Sequence, residues 1–390
     1  MSSVRSARPS YSSGSPTPVD LVRFLPYACA QLRAPFFIRI IREIQGEITS
    51  IENHRITLPF QQYLNKILIY RIPFQGICVY ELATILPVSQ ITEISLEDSR
   101  VPEGNYSLLL EQAQLKILSL ARCMIDDDIC VEIASKLIHP LPASTCLLLL
   151  SLKGNLISDV GAQALGHALR SNRTLQYLNL AGNRITNIGA SGIFNSLKEF
   201  YLTYDELFTK RIRLIDYLKL RQQTYEKCLV NIKKSTLEKA PDEYSRNSKR
   251  RGTATKSKSP GLSGLDYIEM RAEMMVNEII GTYFDPFTPE DTVKREQLLY
   301  SIGNMSLCYL NLSYNNLGYS SVVNLANLLK YQSTLSRPEK TGLLRVVIEG
   351  NELPHSCEEY GIIEYYLERV INSRLAKSMK RVELKKMRPK

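Results

Sequence analysis

One spacing recurs along this chain and limits its possible folds more than any other feature. Leu175, Leu178, Leu180, Asn183 and Ile185 occupy the first, fourth, sixth, ninth and eleventh places of an eleven-residue stretch. Leu307, Leu310, Leu312, Asn315 and Leu317 repeat the pattern, as do Leu147, Leu150, Leu152, Asn155 and Ile157. A copy at Leu115, Leu118, Leu120, Cys123 and Ile125 carries Cys at the ninth place, and one at Leu343, Val346, Ile348, Asn351 and Leu353 uses branched substitutes. Ile91, Ile94 and Leu96 form a degenerate first copy with Ser99 at the turn. Alternating leucines fit a short strand with one apolar face. The Asn or Cys then turns the chain, its polar atoms taking up backbone groups left open there. Cys123, Asn155, Asn183, Asn315 and Asn351 are therefore expected to form a structural ladder. One such unit cannot bury its own apolar face, so copies must stack.

The stretch from Leu147 to Leu175 is 28 positions long, within the repeat length of about 20–29 residues for strand–turn–helix units. Between its strands, residues 159–172 read as a helix, with Ala164, Leu165, Ala168 and Leu169 as the buried stripe. Ser158 or Asp159 is placed to cap it, and Gly161, Ala162 and Ala164 permit close helix packing. These motifs, with Asn172 to Leu175 and Asn304 to Leu307 entering two strands, resemble the ribonuclease-inhibitor type of leucine-rich repeat family. The resemblance covers residues 91–354, less one interruption. It implies an α/β fold: a short curved solenoid with parallel strands inside and helices outside. It further implies a non-enzymatic protein–protein interaction or scaffold protein. The short array with its basic interruption resembles family members of ciliated cells. That implies a cytoplasmic, cytoskeletal or ciliary setting, where tubulin tails are suitable acidic partners.

Around the repeats we expect six regions. Residues 1–18 are rich in Ser, Pro and Arg and read as disordered. Residues 19–90 are apolar and aromatic and read as a cap over the first repeat, of undetermined helix or strand character. Repeats follow at 91–199 and 306–354, separated by a basic helical insert at 200–305 whose tip, about 240–264, reads as disordered. Residues 355–390 read as a helix passing into a basic tail. Within the insert, Phe208, Ile212, Ile215 and Leu218 share one helical face.

The net charge of +10 is localised. Residues 205–260 hold fifteen Lys/Arg against seven Asp/Glu, and residues 366–390 hold nine against two. Lys249, Arg250, Arg251, Lys256 and Lys258 are the densest cations. They read either as an electrostatic patch for an acidic protein surface, or for nucleic acid with a nuclear setting, or as a solvated loop. Nucleic acid is the weaker reading, because stacking aromatics are scarce there. No run of about 18 apolar residues suggests a membrane span.

No nucleotide-binding, metal-ligand or nucleophile motif is present, so no catalytic residue, cofactor or metal is expected. Eight cysteines without regular pairing, in a chain lacking a secretory signal, read as reduced thiols. Asp126, Asp127 and Asp128 read as helix capping, and His167 as a surface residue. The expected site is the concave face, where strand positions three, five and seven point outward. It comprises Leu149, Ser151, Lys153, Tyr177, Asn179, Tyr309, Asn311 and Arg345. If the insert loops out of a continuous array, Tyr177 and Tyr309 become neighbours. They then act either as binding anchors or as a cross-strand pair that only stabilises the sheet.

Overall fold

The computed structural model describes residues 41–44, 47–50, 65–71, 75–112, 114–243, 264–335 and 342–386. The strands are β1 (Ile41–Ile44), β2 (Glu47–Ser50), β3 (Lys66–Tyr70), β4 (Glu93–Glu97), β5 (Ile117–Ser119), β6 (Leu149–Ser151), β7 (Tyr177–Asn179), β8 (Phe200–Tyr201), β9 (Thr292–Arg295), β10 (Leu298–Ser301), β11 (Tyr309–Asn311) and β12 (Arg345–Val347). The helices are α1 (Gly76–Ile85), α2 (Asp127–Lys136), α3 (Ala143–Cys146), α4 (Asp159–Ser171), α5 (Asn187–Leu197), α6 (Tyr204–Glu243), α7 (Gly264–Ile280), α8 (Tyr319–Thr334) and α9 (Glu358–Lys386). Two compact units result: residues 201–299 form one, and the flanking segments the other.

In the larger unit, seven strands make one sheet in the order β3-β4-β5-β6-β7-β11-β12, paired parallel. The array is thus continuous across the insert, with Leu178 directly opposite Leu310. Leu118, Leu150, Leu178 and Leu310 are fully buried and join α2, α4, α5 and α8 in a single core. Adjacent helices pack in succession, α5 against α8 included. Close approach is steepest between α4 and α5, where a Cβ on Gly166 would lie 2.5 Å from the Gly192 carbonyl oxygen.

Of the stretch read as a cap over the first repeat, β3 pairs parallel with β4 and, with α1, adds a further strand and helix at that end of the sheet, while residues 19–40, 45–46, 51–64 and 72–74 lie outside the described residues. Leu64, Ile67 and Ile69 carry the same spacing as the later copies, but Ile72 stands where the turn amide belongs. Residues 1–18 lie outside the described residues, as do 244–263, most of the tip; residues 240–243 continue α6.

The ladder forms as the spacing predicts. Asn155 Oδ1 accepts from the Cys123 and Ile125 amides (3.0 and 3.1 Å), while its Nδ2 donates to the Leu120 and Leu152 carbonyls. Asn183 links to Ile157, Leu152 and Leu180, and Asn351 to Asn315, Leu317, Leu312 and Ile348. At Cys123 the thiol donates to the Leu96 carbonyl, and burial pushes its pKa up to about 11. It stays a protonated packing group rather than a reactive thiolate. The residue preceding each ladder position is left-handed: Asp98, Arg122, Gly154, Gly182, Tyr314 and Gly350 all have φ between 54° and 71°.

A second ladder caps the helices, and it corrects the reading of Ser158 and Asp159 as caps of their own helix. Ser158 holds the cap position of α4 but makes no side-chain cap bond. Asp127, one repeat earlier, instead accepts from the Ser158 and Gly161 amides (2.8 and 2.9 Å) and from the Ser158 hydroxyl. Asp159 does the same for Thr186 and Gly189 of α5, and Asn187 for Gly318 and Ser321 of α8. Each cap thus joins one repeat to the next. Asp126 and Thr186 cap their own helices as well, accepting from the Ile129 and Ile188 amides. Burial acts to raise the Asp127 pKa, but the Ser158 and Gly161 hydrogen bonds outweigh it and hold the carboxyl below 3.8. A depressed folded pKa stabilises above the unfolded value and loses that contribution as pH falls. The stability gap between the protein and Asp127→Asn is therefore expected to close as pH drops below 3.8, and equal gaps at pH 3 and pH 7 in denaturant titrations would refute it.

In the smaller unit, α6 and α7 pack through Cys228, Ile232, Ala272 and Val276. β8, β10 and β9 pair in that order. Burial of α6 is inverted near its start: Phe208, Ile212, Ile215 and Leu218 are exposed, while Arg213 is mostly buried.

Candidate protein-binding face

Side chains alternate along a strand, so the residues flanking each buried leucine emerge on the open side of the sheet. Parallel register then aligns them into rows about 4.8 Å apart from strand to strand. The first row is Ile117, Leu149, Tyr177, Tyr309 and Arg345. The second is Ser119, Ser151, Asn179, Asn311 and Val347. A third, past the strand ends, holds Lys153, Ala181, Ser313 and Glu349 in succession. All eight residues expected from the spacing therefore share one face; Lys153 and Arg345 are exposed and the other six half-buried.

The face extends further than that reading reached. β3 and β4 add an ion pair between Lys66 and Glu93 (2.8 Å) and the half-exposed Leu68 and Tyr70. Glu97 accepts from the Ser95 and Ser119 hydroxyls, each at 3.1 Å.

Its most organised part is the tyrosine pair. The Tyr177 and Tyr309 rings stack with centroids 4.0 Å apart and planes 4° from parallel. Arg345 places its guanidinium carbon 5.9 Å from the Tyr309 centroid. The Asn two residues after each Tyr fixes the local backbone: Asn179 Oδ1 accepts from the Ala181 amide, and Asn311 Oδ1 from the Ser313 amide and hydroxyl. Asn311 Nδ2 lies 3.5 Å from the Tyr309 hydroxyl. Burial, then the hydrogen bond and charge of Tyr309, push the Tyr177 hydroxyl up to about 12, against the pull of Arg345 and Asn179. The hydroxyl therefore keeps its proton across the physiological range. The arrangement offers flat aromatic surface, neutral donors and one cation, held by residues 132 positions apart in the chain.

Of the remaining expected residues, Lys249, Arg250, Arg251, Lys256 and Lys258 lie outside the described residues. His167 is exposed on α4. Among the described residues no group of three or more His, Cys, Asp or Glu is placed to hold a metal ion. No described helix is long and apolar enough to cross a membrane.

A family model described as Leucine Rich repeat matches residues 143–166, 171–194 and 303–326. The chain carries leucine-rich repeats at these three places. The matched leucine-rich repeats supply β6, β7 and β11, three adjacent strands of the sheet, with the insert between the second and third. They bear Leu149, Tyr177 and Tyr309, the centre of the open face. No curated protein matches the chain.

Proposed function

We propose that this chain is a non-enzymatic interaction or scaffold protein of the ribonuclease-inhibitor leucine-rich repeat type, which binds a partner protein across the open face of its sheet. The observation that carries this is the stacked Tyr177–Tyr309 pair with Arg345 beside it. Aromatic and Arg anchors set in a rigid surface are the usual carriers of binding energy. The basic residues of the insert and tail add attraction to an acidic partner surface, speeding encounter more than deepening affinity. The resemblance to family members of ciliated cells supports a cytoplasmic site in a cytoskeletal or ciliary assembly.

The test uses the intact chain with a photo-crosslinking residue at Ser119 or Ser151 on the open face, or at the exposed Gln163 of α4. One partner should be captured from the first two positions and not from the third. Tyr177→Ala or Tyr309→Ala should weaken that capture by about 1–3 kcal/mol, chiefly through faster dissociation. Neutralising Lys249, Arg250 and Arg251 should slow association and flatten its salt dependence. Capture from Gln163 alone would overturn the reading. So would silent tyrosine variants combined with complete loss on neutralisation, which would favour a basic arm and, if RNA co-purifies, a nucleic-acid partner.

A further inference from the structure

The first half of α6 turns its polar side inward and its apolar side to solvent. On the inner side Lys210 donates to the Phe287 carbonyl, Arg213 pairs with Asp285, the Tyr217 hydroxyl donates to the Gly281 carbonyl and Arg221 pairs with Glu273. On the outer side Phe208, Ile212, Leu214, Ile215 and Leu218 are 41–54% exposed and Tyr204 is 81% exposed. A surface helix ordinarily buries its apolar stripe and leaves its charges in water. Apolar residues exposed singly are normal, but a run of them along one side of a helix marks an association surface. The stripe is also regular. Tyr204, Phe208, Arg211, Ile215, Leu218 and Gln222 alternate four- and three-residue steps. That spacing keeps a seam facing a second helix along its whole length, here about 28 Å. Asp205 and Lys219 flank the seam on one side, fourteen residues apart. Among the described residues neither pairs with an opposite charge.

We propose that α6 pairs antiparallel with α6 of a second copy of this chain. A twofold axis brings the same flank of both helices to the same side of the seam. With Phe208 level with Leu218 of the other copy, Ile215 falls level with Arg211 and Tyr204 with Gln222. The Arg211 stem then covers Ile215 of the other copy while its guanidinium reaches water. Ile212 meets Ile212 and Leu214 meets Leu214 on the two flanks nearest the axis, closing the centre of the seam. Asp205 lies beside Lys219 of the other copy, and the axis makes that ion pair twice. Such flanking charges set partner choice and orientation in paired helices. A parallel pair fails on the same residues. It sets Arg211 against Arg211 and leaves Asp205 and Lys219 with no opposite charge across the seam. The helix therefore complements itself in both its apolar layers and its charges, which is why a second copy is the partner that fits. This surface belongs to the smaller unit and works whether or not the open face holds a ligand.

Sedimentation velocity of the full chain over a dilution series tests the pairing. A monomer–dimer equilibrium is expected. Ile215→Asp should weaken it by a factor of about ten or more, as losing a central apolar anchor does. The far-ultraviolet circular dichroism of that variant at high dilution should match the parent, because Ile215 is already half exposed in the single copy. Asp205→Lys and Lys219→Asp should each weaken the dimer, since each turns both ion pairs into like-charge contacts. The register is tested by recombination. The double variant Asp205→Lys with Lys219→Asp restores opposite charges at both contacts, and so does an equimolar mixture of the two single variants. Both should regain dimer, and the mixture should form it only between unlike copies. A chain that stays monomeric at every concentration would overturn the pairing. So would a dimer indifferent to Ile215→Asp, or charge reversals that are silent or that the double variant fails to rescue.

Discussion

Truncating Asn315 to alanine is expected to destabilise the array by about 2–3 kcal/mol without altering the open face, since removing one partner leaves buried backbone groups unpaired. Asn315 Oδ1 accepts from the Ile185 amide at 3.1 Å, and its Nδ2 donates to the Leu180 and Leu312 carbonyls, each at 3.0 Å. Two of those three partners belong to the repeat on the other side of the insert in sequence. The amide therefore fastens together the two halves of the array that the insert separates. Asn183→Ala should cost a similar amount, since Asn183 makes the equivalent bonds in the preceding repeat. Denaturant midpoints measure the loss, and hydrogen exchange at the Ile185 amide locates it. Asn315→Asp keeps an acceptor and discards both donors, so it should rescue Ile185 protection but only some of the stability. A midpoint unmoved by Asn315→Ala would mean that the ladder contributes nothing.

Asp285→Ala is expected to be the most damaging single change in the insert. Asp285 Oδ2 accepts from Arg213 Nε and Nη2 at 2.9 and 2.7 Å and from the Tyr283 hydroxyl, while Oδ1 accepts from the Phe287 amide. The Asp285 and Arg213 side chains are only 3% and 13% exposed. Removing the carboxylate strands a buried guanidinium, at a cost of about 3–5 kcal/mol. Replacing both partners together, as in Arg213→Met with Asp285→Leu, should recover most of the loss. Because residues 201–299 form their own compact unit, limited proteolysis of Asp285→Ala should cut α6 while the leucine-rich repeats stay intact. Equal damage in the single and double variants would show that packing, not the stranded charge, controls this unit.

The Asn ladder was legible because each ladder residue has one role at one spacing, and the role is local: satisfying the turn that follows a strand. The helix caps were only half legible. Asp127 and Asp159 stand where acids suit a helix start, yet each serves the next helix, because stacking brings neighbouring helix N-termini within reach. β3 was missed for a related reason. Its strand leucine positions are filled by Ile67 and Ile69, but without a turn amide the copy lacks the feature that marks the others. On α6 the pattern misled in a different way. The apolar face of Phe208, Ile215 and Leu218 suggests a buried side, whereas the buried side near Asp285 is organised by charge and hydrogen bonds.

By itself the sequence determined the repeating unit, the alternation that buries Leu118, Leu150, Leu178 and Leu310, and the need for copies to stack. Those follow from short-range chemistry, since a residue's inward or outward direction depends only on its place in a strand. Tertiary structure alone decided which copies became neighbours. Parallel register across a gap of 132 residues put Tyr309 against Tyr177, stacked their rings at 4.0 Å and set Arg345 beside them. No local rule encodes that adjacency. It arises because β7 and β11 each expose an apolar edge that only another repeat can cover, and covering it returns the chain to the array wherever the insert ends.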